Sequence, residues 1–267
     1  YHLLLVHHKD ELDPDGRADM YFRLGVIKRE QGDRRRAVNF LEKALEEVPN
    51  HKETLEALVV TYTQTNEWEQ VAGYKRAVID NHVFDKDERY NALNDLGSLW
   101  QEKLKNAQKA IQVFSEARDM RPLDHPLLMK LLVLFQETKQ WSKVVETTEV
   151  FYNDLEKDPR RKAKFAYTIA SVLNSELKNP DDAVAWYNNA LDNDPKELKP
   201  FAKINEILTT RKDFKNLERS FRKMIHRVAG KGERELEFNL WHNLGIIYRD
   251  RLNNAEGAIA AFNMSSG

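Results

Sequence analysis

Apolar residues along this chain fall at helical spacing in short bursts, each stopped by a turn or a proline. In "YFRLGVIKREQGDRRRAVNFLEKALEEVPN", Tyr21–Asn50, the positions Tyr21, Leu24 and Lys28 are spaced i, i+3, i+7, and Ala37, Leu41, Ala44 and Leu45 share one face of a second segment. This spacing predicts two amphipathic helices joined by a tight turn near Gln31-Gly32-Asp33, with Pro49 preventing the second helix from continuing. The same text then returns. "LGSLWQEKLKNAQKAIQVF" at Leu96–Phe114, "IASVLNSELKNPDDAVAWY" at Ile169–Tyr187 and "LGIIYRDRLNNAEGAIAAF" at Leu244–Phe262 are variants of one phrase.

Gly25, Gly97, Ala170 and Gly245 recur with the same neighbours. A glycine inside a helix costs about 1 kcal/mol against alanine, so its return needs a geometric reason. Small residues on facing stripes, here Gly25 against Ala37 and Ala44, allow two helix backbones to approach closely while large residues fill the flanks.

A second period runs through the chain. Trp68, Trp141 and Phe214 lie 73 residues apart each time, as do Gly97 and Ala170. Copies therefore come in pairs, one strong and one weak. The weak copies hold Leu58, Tyr62, Trp68 and Val71; Leu131, Phe135, Trp141 and Val144; and Ile204, Leu208, Phe214 and Leu217. Their surplus of about four residues, close to one helical turn, is expected to lengthen the second helix. Val144, Thr148, Phe151, Tyr152 and Leu155 map by the same interval onto Leu217, Phe221, Met224, Ile225 and Val228. In the first weak copy the stripe reads Val71, Lys75, Val78, Ile79, His82, and Lys75 departs from it.

An aromatic, then Leu-Gly, an aromatic one turn later, then alanine, a large apolar residue, alanine and proline form a pattern that resembles the tetratricopeptide repeat. It is carried by Tyr21, Leu24-Gly25, Ala37, Leu41, Ala44, Pro49; by Leu96-Gly97, Trp100, Ala110, Phe114, Ala117, Pro122; by Ile169-Ala170, Ala183, Tyr187, Ala190, Pro195; and by Trp241, Leu244-Gly245, Tyr248, Ala258, Phe262. The resemblance implies an all-α solenoid, a right-handed superhelix of antiparallel helix pairs. About seven units are expected, at 18–51, 52–89, 90–124, 125–162, 163–197, 198–237 and 238–267, after a partial helix of a preceding repeat in 1–17. Each pair is too small to bury its own apolar face, so copies stack and share a core. Both ends read as cut, which suggests an excised piece or a chain that meets others end to end.

Composition narrows the function. Of 267 residues, 41% are hydrophobic and 32% charged, which suits a shape with much surface per residue. Lys plus Arg (42) nearly cancel Asp plus Glu (43), and no basic side chain recurs at one phase, so nucleic acid is not an expected partner. There is no cysteine, hence no thiolate metal site or Cys nucleophile. The most apolar run, Leu127–Phe135, contains Lys130 and is too short to span a bilayer. No targeting segment is read, and a cytoplasmic address is the default.

Candidate chemistry is sparse. No hydrolase, zinc-protease, phosphate-loop or EF-hand motif occurs, so no enzyme activity, cofactor or metal is expected. Gly230 in "AGKGER" reads as a helix C-cap. His7 and His8 would diverge by about 100° on a helix and share an ion poorly. Arg34-Arg35-Arg36 and Arg160-Arg161-Lys162 have acidic neighbours and read as solvated turns.

A protein-binding surface remains. In the tetratricopeptide family the first helices line a concave face that binds peptides or helices of partner proteins. Carried over by phase, the partner-binding candidates are Phe22, Asn94, Ser98, Met129, Tyr167, Ser171, Lys199, Lys203, Asn239, His242 and Asn243. Val26, Val133 and Ile246 share that phase but could equally pack on neighbouring helices. The clamp that some relatives use for chaperone C-termini is incomplete. Lys199 and Lys203 stand in its last role, but Met129, Val133 and Thr168 replace the required Lys, Asn and Asn. The expected role is a non-catalytic interaction module or scaffold holding a partner peptide or helix. Alternatives are a sensor for a small molecule or signalling peptide, and a self-associating structural module.

Overall fold

Asp or Asn stands at the start of helix after helix, and that choice sets where each begins. In the computed structural model, which describes residues 11–82 and 84–265, the Asp13 carboxylate accepts from the Gly16 N–H at 2.8 Å and opens α1 (Pro14–Glu30). Asp33 does the same for α2 (Arg34–Glu47) through Arg36 N–H. There follow α3 (Lys52–Thr63), α4 (Trp68–Asn81), α5 (Lys86–Glu102), α6 (Ala107–Met120) and α7 (His125–Glu137). The chain continues with α8 (Trp141–Val150), which runs into one π-helical turn at Phe151–Leu155, then α9 (Pro159–Ser175) and α10 (Pro180–Asn193). It ends with α11 (Lys199–Thr210), α12 (Phe214–Val228), α13 (Arg234–Asp250) and α14 (Ala255–Met264). These fourteen α-helices, with no strand among the described residues, make the chain all-α, as the sequence pattern predicts.

The chain divides into two compact units, Tyr1–Thr138 and Lys139–Gly267. In the first, α1/α2, α3/α4 and α5/α6 pack as hairpins, and each hairpin packs on the helix that follows it. Leu41, Ala57, Leu58, Tyr62 and Val71 form one core cluster there, with Phe22, Trp68 and Leu99 against its edge. In the second unit, α9/α10, α11/α12 and α13/α14 pack in the same way after α8. Its core runs from Ile169 through Tyr187, Ile204, Phe221 and Met224 to Leu244 and Ala261. Polar bridges tie second helices of successive hairpins together. Arg76 on α4 donates to Glu116 on α6 at 2.7 Å, and Arg227 on α12 donates to Asp192 on α10 at 2.8 Å.

The close approach expected at the small residues is present at Gly25, where a Cβ would stand 3.2 Å from the Ala37 carbonyl oxygen, but the glycines face large side chains rather than other small residues. A Cβ on Gly97 would stand 2.5 Å from Phe114 Cδ1, one on Gly25 2.7 Å from Leu41, and one on Gly245 2.6 Å from Phe262. The turns between paired helices use the left-handed region. Gly32 takes it at φ +79°, and the non-glycine residues Asn66, Lys105, Lys178, Lys212 and Asn253 also take it, at φ between 50° and 58°. Gly230, expected as the helix C-cap, instead follows the C-cap Ala229 of α12 and takes φ 71° in a turn closed by the Lys231 N–H donating to the Val228 carbonyl.

One expectation is corrected. The surplus residues of the weak copies do not lengthen their second helices. The second helices α2, α4, α6 and α10 have 14 residues each, and α12 has 15. The extra turn lies at the start of the following first helix, and α5, α9 and α13 each have 17 residues against 12 or 13 in α3, α7 and α11. Capping explains the two earlier cases. Asp85 and Glu88 form a reciprocal capping box that starts α5 at Lys86, and Asp158 followed by Pro159 starts α9. His7, His8 and residues 1–10 of the partial helix expected in 1–17 lie outside the described residues, and residues 14–17 of that range belong to α1.

Candidate functional site

The first helices present the residues singled out by phase, and the structure sorts them into small groups. In the first unit, Phe22 is half-buried on α1 with its ring 5.8 Å from the His51 ring. Asn94 and Ser98, one turn apart on α5, are joined by a residue that the sequence pattern did not single out for this role. Lys130 on α7 donates from Nζ to Asn94 Oδ1 and Ser98 Oγ, both at 3.0 Å, and stands 5.1 Å over the Phe114 ring. Met129 and Val133, on the same helix, are exposed.

In the second unit, Tyr167 and Ser171 on α9 both meet Tyr187 of α10. The Tyr167 and Tyr187 rings are 5.4 Å apart, and the Ser171 and Tyr187 hydroxyls 3.3 Å. Burial pushes the Tyr187 phenol above its ordinary pKa, against the opposing effect of the Ser171 hydrogen bond. Lys203 donates to Glu206 at 2.8 Å, and that hydrogen bond holds its ammonium above the usual lysine range. Lys199, the first residue of α11, is exposed and has no ion pair among the described residues. Asn239, His242 and Asn243 are exposed on α13. The Asn243 amide donates to the Asn239 carbonyl, and the His242 ring stacks on Phe238 at 6.0 Å and lies tilted against Phe262 at 5.5 Å.

Two clefts lie beside these groups. The first, of about 530 Å³, is bounded by Val59, Val60 and Thr63 on α3, Trp68, Val71 and Lys75 on α4, and Asp95, Ser98, Leu99 and Glu102 on α5, with Lys103 beyond its end. Val71 is buried at its floor and Val60 is 46% exposed on its wall. Lys103 caps the Trp68 ring from 5.3 Å. The second, of about 410 Å³, lies among α9, α10 and α11 and includes Arg160, Lys164, Tyr167, Asp194 and Lys199. Ser98 is thus the phase-selected residue of the first cleft, and Tyr167 and Lys199 are those of the second. Val59, Val60, Trp68, Lys75 and Leu99 were not among the selected contact residues. The signal for them was Lys75, which interrupts an otherwise apolar stripe.

Among the described residues no group of three or more His, Cys, Asp or Glu is placed to hold a metal ion, and no helix is long and apolar enough to cross a membrane. The basic runs are partly neutralised. Arg34 pairs with Glu67, Arg36 with Asp33, and Arg161 with Glu156.

Residues 18–51 match the family model described as tetratricopeptide repeat. Superkiller protein 3 of Schizosaccharomyces pombe is 25% identical over 198 residues, which cover 73% of this chain and 12% of that protein. The chain therefore spans only a small part of the length of the curated relative it matches. Among solved structures, YrrB, a protein of the same repeat class with an unusual peptide-binding site, aligns with a TM-score of 0.35 and 15% identity over 75% of this chain and 95% of its own. The MamA protein aligns with a TM-score of 0.35 and 22% identity over 68% and 94%. The family match covers one helix pair of the chain, α1 and α2. Repeats of this kind generally mediate protein–protein interaction and serve as non-catalytic scaffolds.

Proposed function

We propose that this chain is a non-catalytic interaction module that holds a short segment of a partner protein in the cleft between α3, α4 and α5. The observation that carries the reading is the cleft itself. It offers about 530 Å³ between three helices, with Val59, Val60, Trp68 and Leu99 supplying apolar wall and charged side chains at its margins. That volume lies in the range of small-ligand and side-chain pockets. Burial of apolar surface contributes about 25 cal/mol per Å². Helix pairs packed around a core do not have to fold on contact, so little of that gain is lost to ordering the receptor.

Of the residues selected by phase, Ser98 would touch the bound segment directly. Asn94 would act through the Lys130 bridge, with Met129 and Val133 as exposed apolar surface on the next first helix. Tyr167 and Lys199 would serve the second cleft, with Ser171 and Lys203 behind them, and Phe22, Asn239, His242 and Asn243 are secondary contact candidates. The test is affinity capture from the cell of origin by the intact chain and by its Val60→Asp variant, compared at equal helical content. Loss of a captured protein with the variant supports the reading, and unchanged capture removes the cleft from it.

A further inference from the structure

At one position in the internal register the three weak copies part company. On α12 that position is Phe221, buried in the core with its ring 5.0 Å from Phe201, and on α8 it is Thr148, buried and donating to the Val144 carbonyl. On α4 it is Lys75, half-buried, which lines the first cleft together with Trp68 and Val71 of the same helix face. Where α12 sets a ring into the core, α4 sets a cation beside an open, largely apolar cleft. Lys75 makes no ion pair or hydrogen bond with any described residue.

We infer that this cleft selects a peptide segment that pairs a large apolar side chain with a carboxylate lying within one turn of it, the apolar group seated on Val71, Trp68 and Leu99 and the carboxylate on Lys75. The inference rests on the docking role proposed above and names the chemistry of its occupant. Charge decides the sign. Asp95, Glu102 and a second cation, Lys103, also border the cleft, but all three are exposed, and ion pairs in such positions contribute little. Half-buried Lys75 lines a largely apolar cleft that a bound segment would close off from water, where opposite charges interact several times more strongly than at an open surface.

The test is selection of displayed random peptides of about twelve residues on the full chain, with Lys75→Met, Lys75→Glu and Val60→Asp as variants. Lys75→Met keeps the side-chain stem, and circular dichroism verifies that each variant stays helical. The expected result is enrichment of peptides with Asp or Glu next to a large apolar residue. They should bind Lys75→Met about tenfold or more weakly, and selection on Lys75→Glu should exchange the acidic residue for Lys or Arg. Peptides that need Val60 but lack a carboxylate, or bind Lys75→Met unchanged, overturn the charge inference and leave the docking role standing. If no enriched peptide is sensitive to Val60→Asp, the docking role at this cleft fails, and the inference with it.

Discussion

The ring of Phe114 on α6 lies across the backbone of Gly97 on α5, so closely that a Cβ at residue 97 would stand 2.5 Å from Cδ1 and 2.9 Å from Cζ. Gly25 with Leu41 and Gly245 with Phe262 repeat the relationship. Glycine is retained inside these helices because the facing side chain occupies the space where a methyl group would be.

Gly97→Ala therefore forces the Phe114 ring or the hairpin itself to move. It is expected to destabilise the chain by about 1–3 kcal/mol through overpacking. Gly73 is the control: it lies within α4 and a Cβ there would meet nothing within 4 Å. Gly73→Ala should stabilise by about 0.5–1 kcal/mol, because alanine is the better helix former. Urea denaturation of the two variants should move in opposite directions, and a common direction would contradict the packing argument.

The extra turn at the start of α5 hangs on its cap. Asp85 accepts from the Glu88 N–H at 2.7 Å while the Glu88 carboxylate accepts from the Asp85 N–H at 3.2 Å. Asp85→Ala should cost about 1 kcal/mol and speed amide hydrogen exchange at residues 86–89 with little change at residues 96–102. Uniform exchange across α5 would show that the added turn does not depend on the cap.

These two cases mark how far the sequence could be read. The hairpins were legible because one spacing of small and large residues recurs four times in strong form, but the Phe114 ring over Gly97 was not, because the repeat marks both residues without saying which side chain faces the glycine. The start of α5 was not, because a capping box acts locally and leaves no trace in a 73-residue period, so residues 86–89 were assigned to the preceding unit, 52–89. Lys75 was visible as a departure from an apolar stripe. Its consequence was not visible, because the cleft depends on Val60 and Leu99 arriving from two other helices. Lys130 had registered only as the charge that interrupts Leu127–Phe135, and its bridge to Asn94 and Ser98 requires α5 and α7 to be side by side.

Tyr248 ties α13 to α12 by donating to Glu218 Oε1 at 2.5 Å, and burial, reinforced by that carboxylate, raises its phenol to about 12 from 10.0. A group with a raised folded-state pKa contributes stability below its unfolded value and loses that contribution as pH climbs to the folded value. Wild-type stability should therefore fall between about pH 10 and pH 12 more steeply than that of Tyr248→Phe. At pH 8 the variant should be less stable by about 1.5–3 kcal/mol, the range for a hydrogen bond to a charged acceptor. Parallel stability curves for the two proteins over that alkaline interval would contradict the assignment.

The most direct measurement of the central claim is photo-crosslinking in the cell of origin, with a benzophenone amino acid placed at residue 60 on the cleft wall or at residue 112, exposed on α6. The account predicts a discrete protein adduct from residue 60, lost when Trp68 is also changed to Ala, and none of that mass from residue 112. Equal adducts from both positions, or an adduct from residue 112 alone, would contradict it.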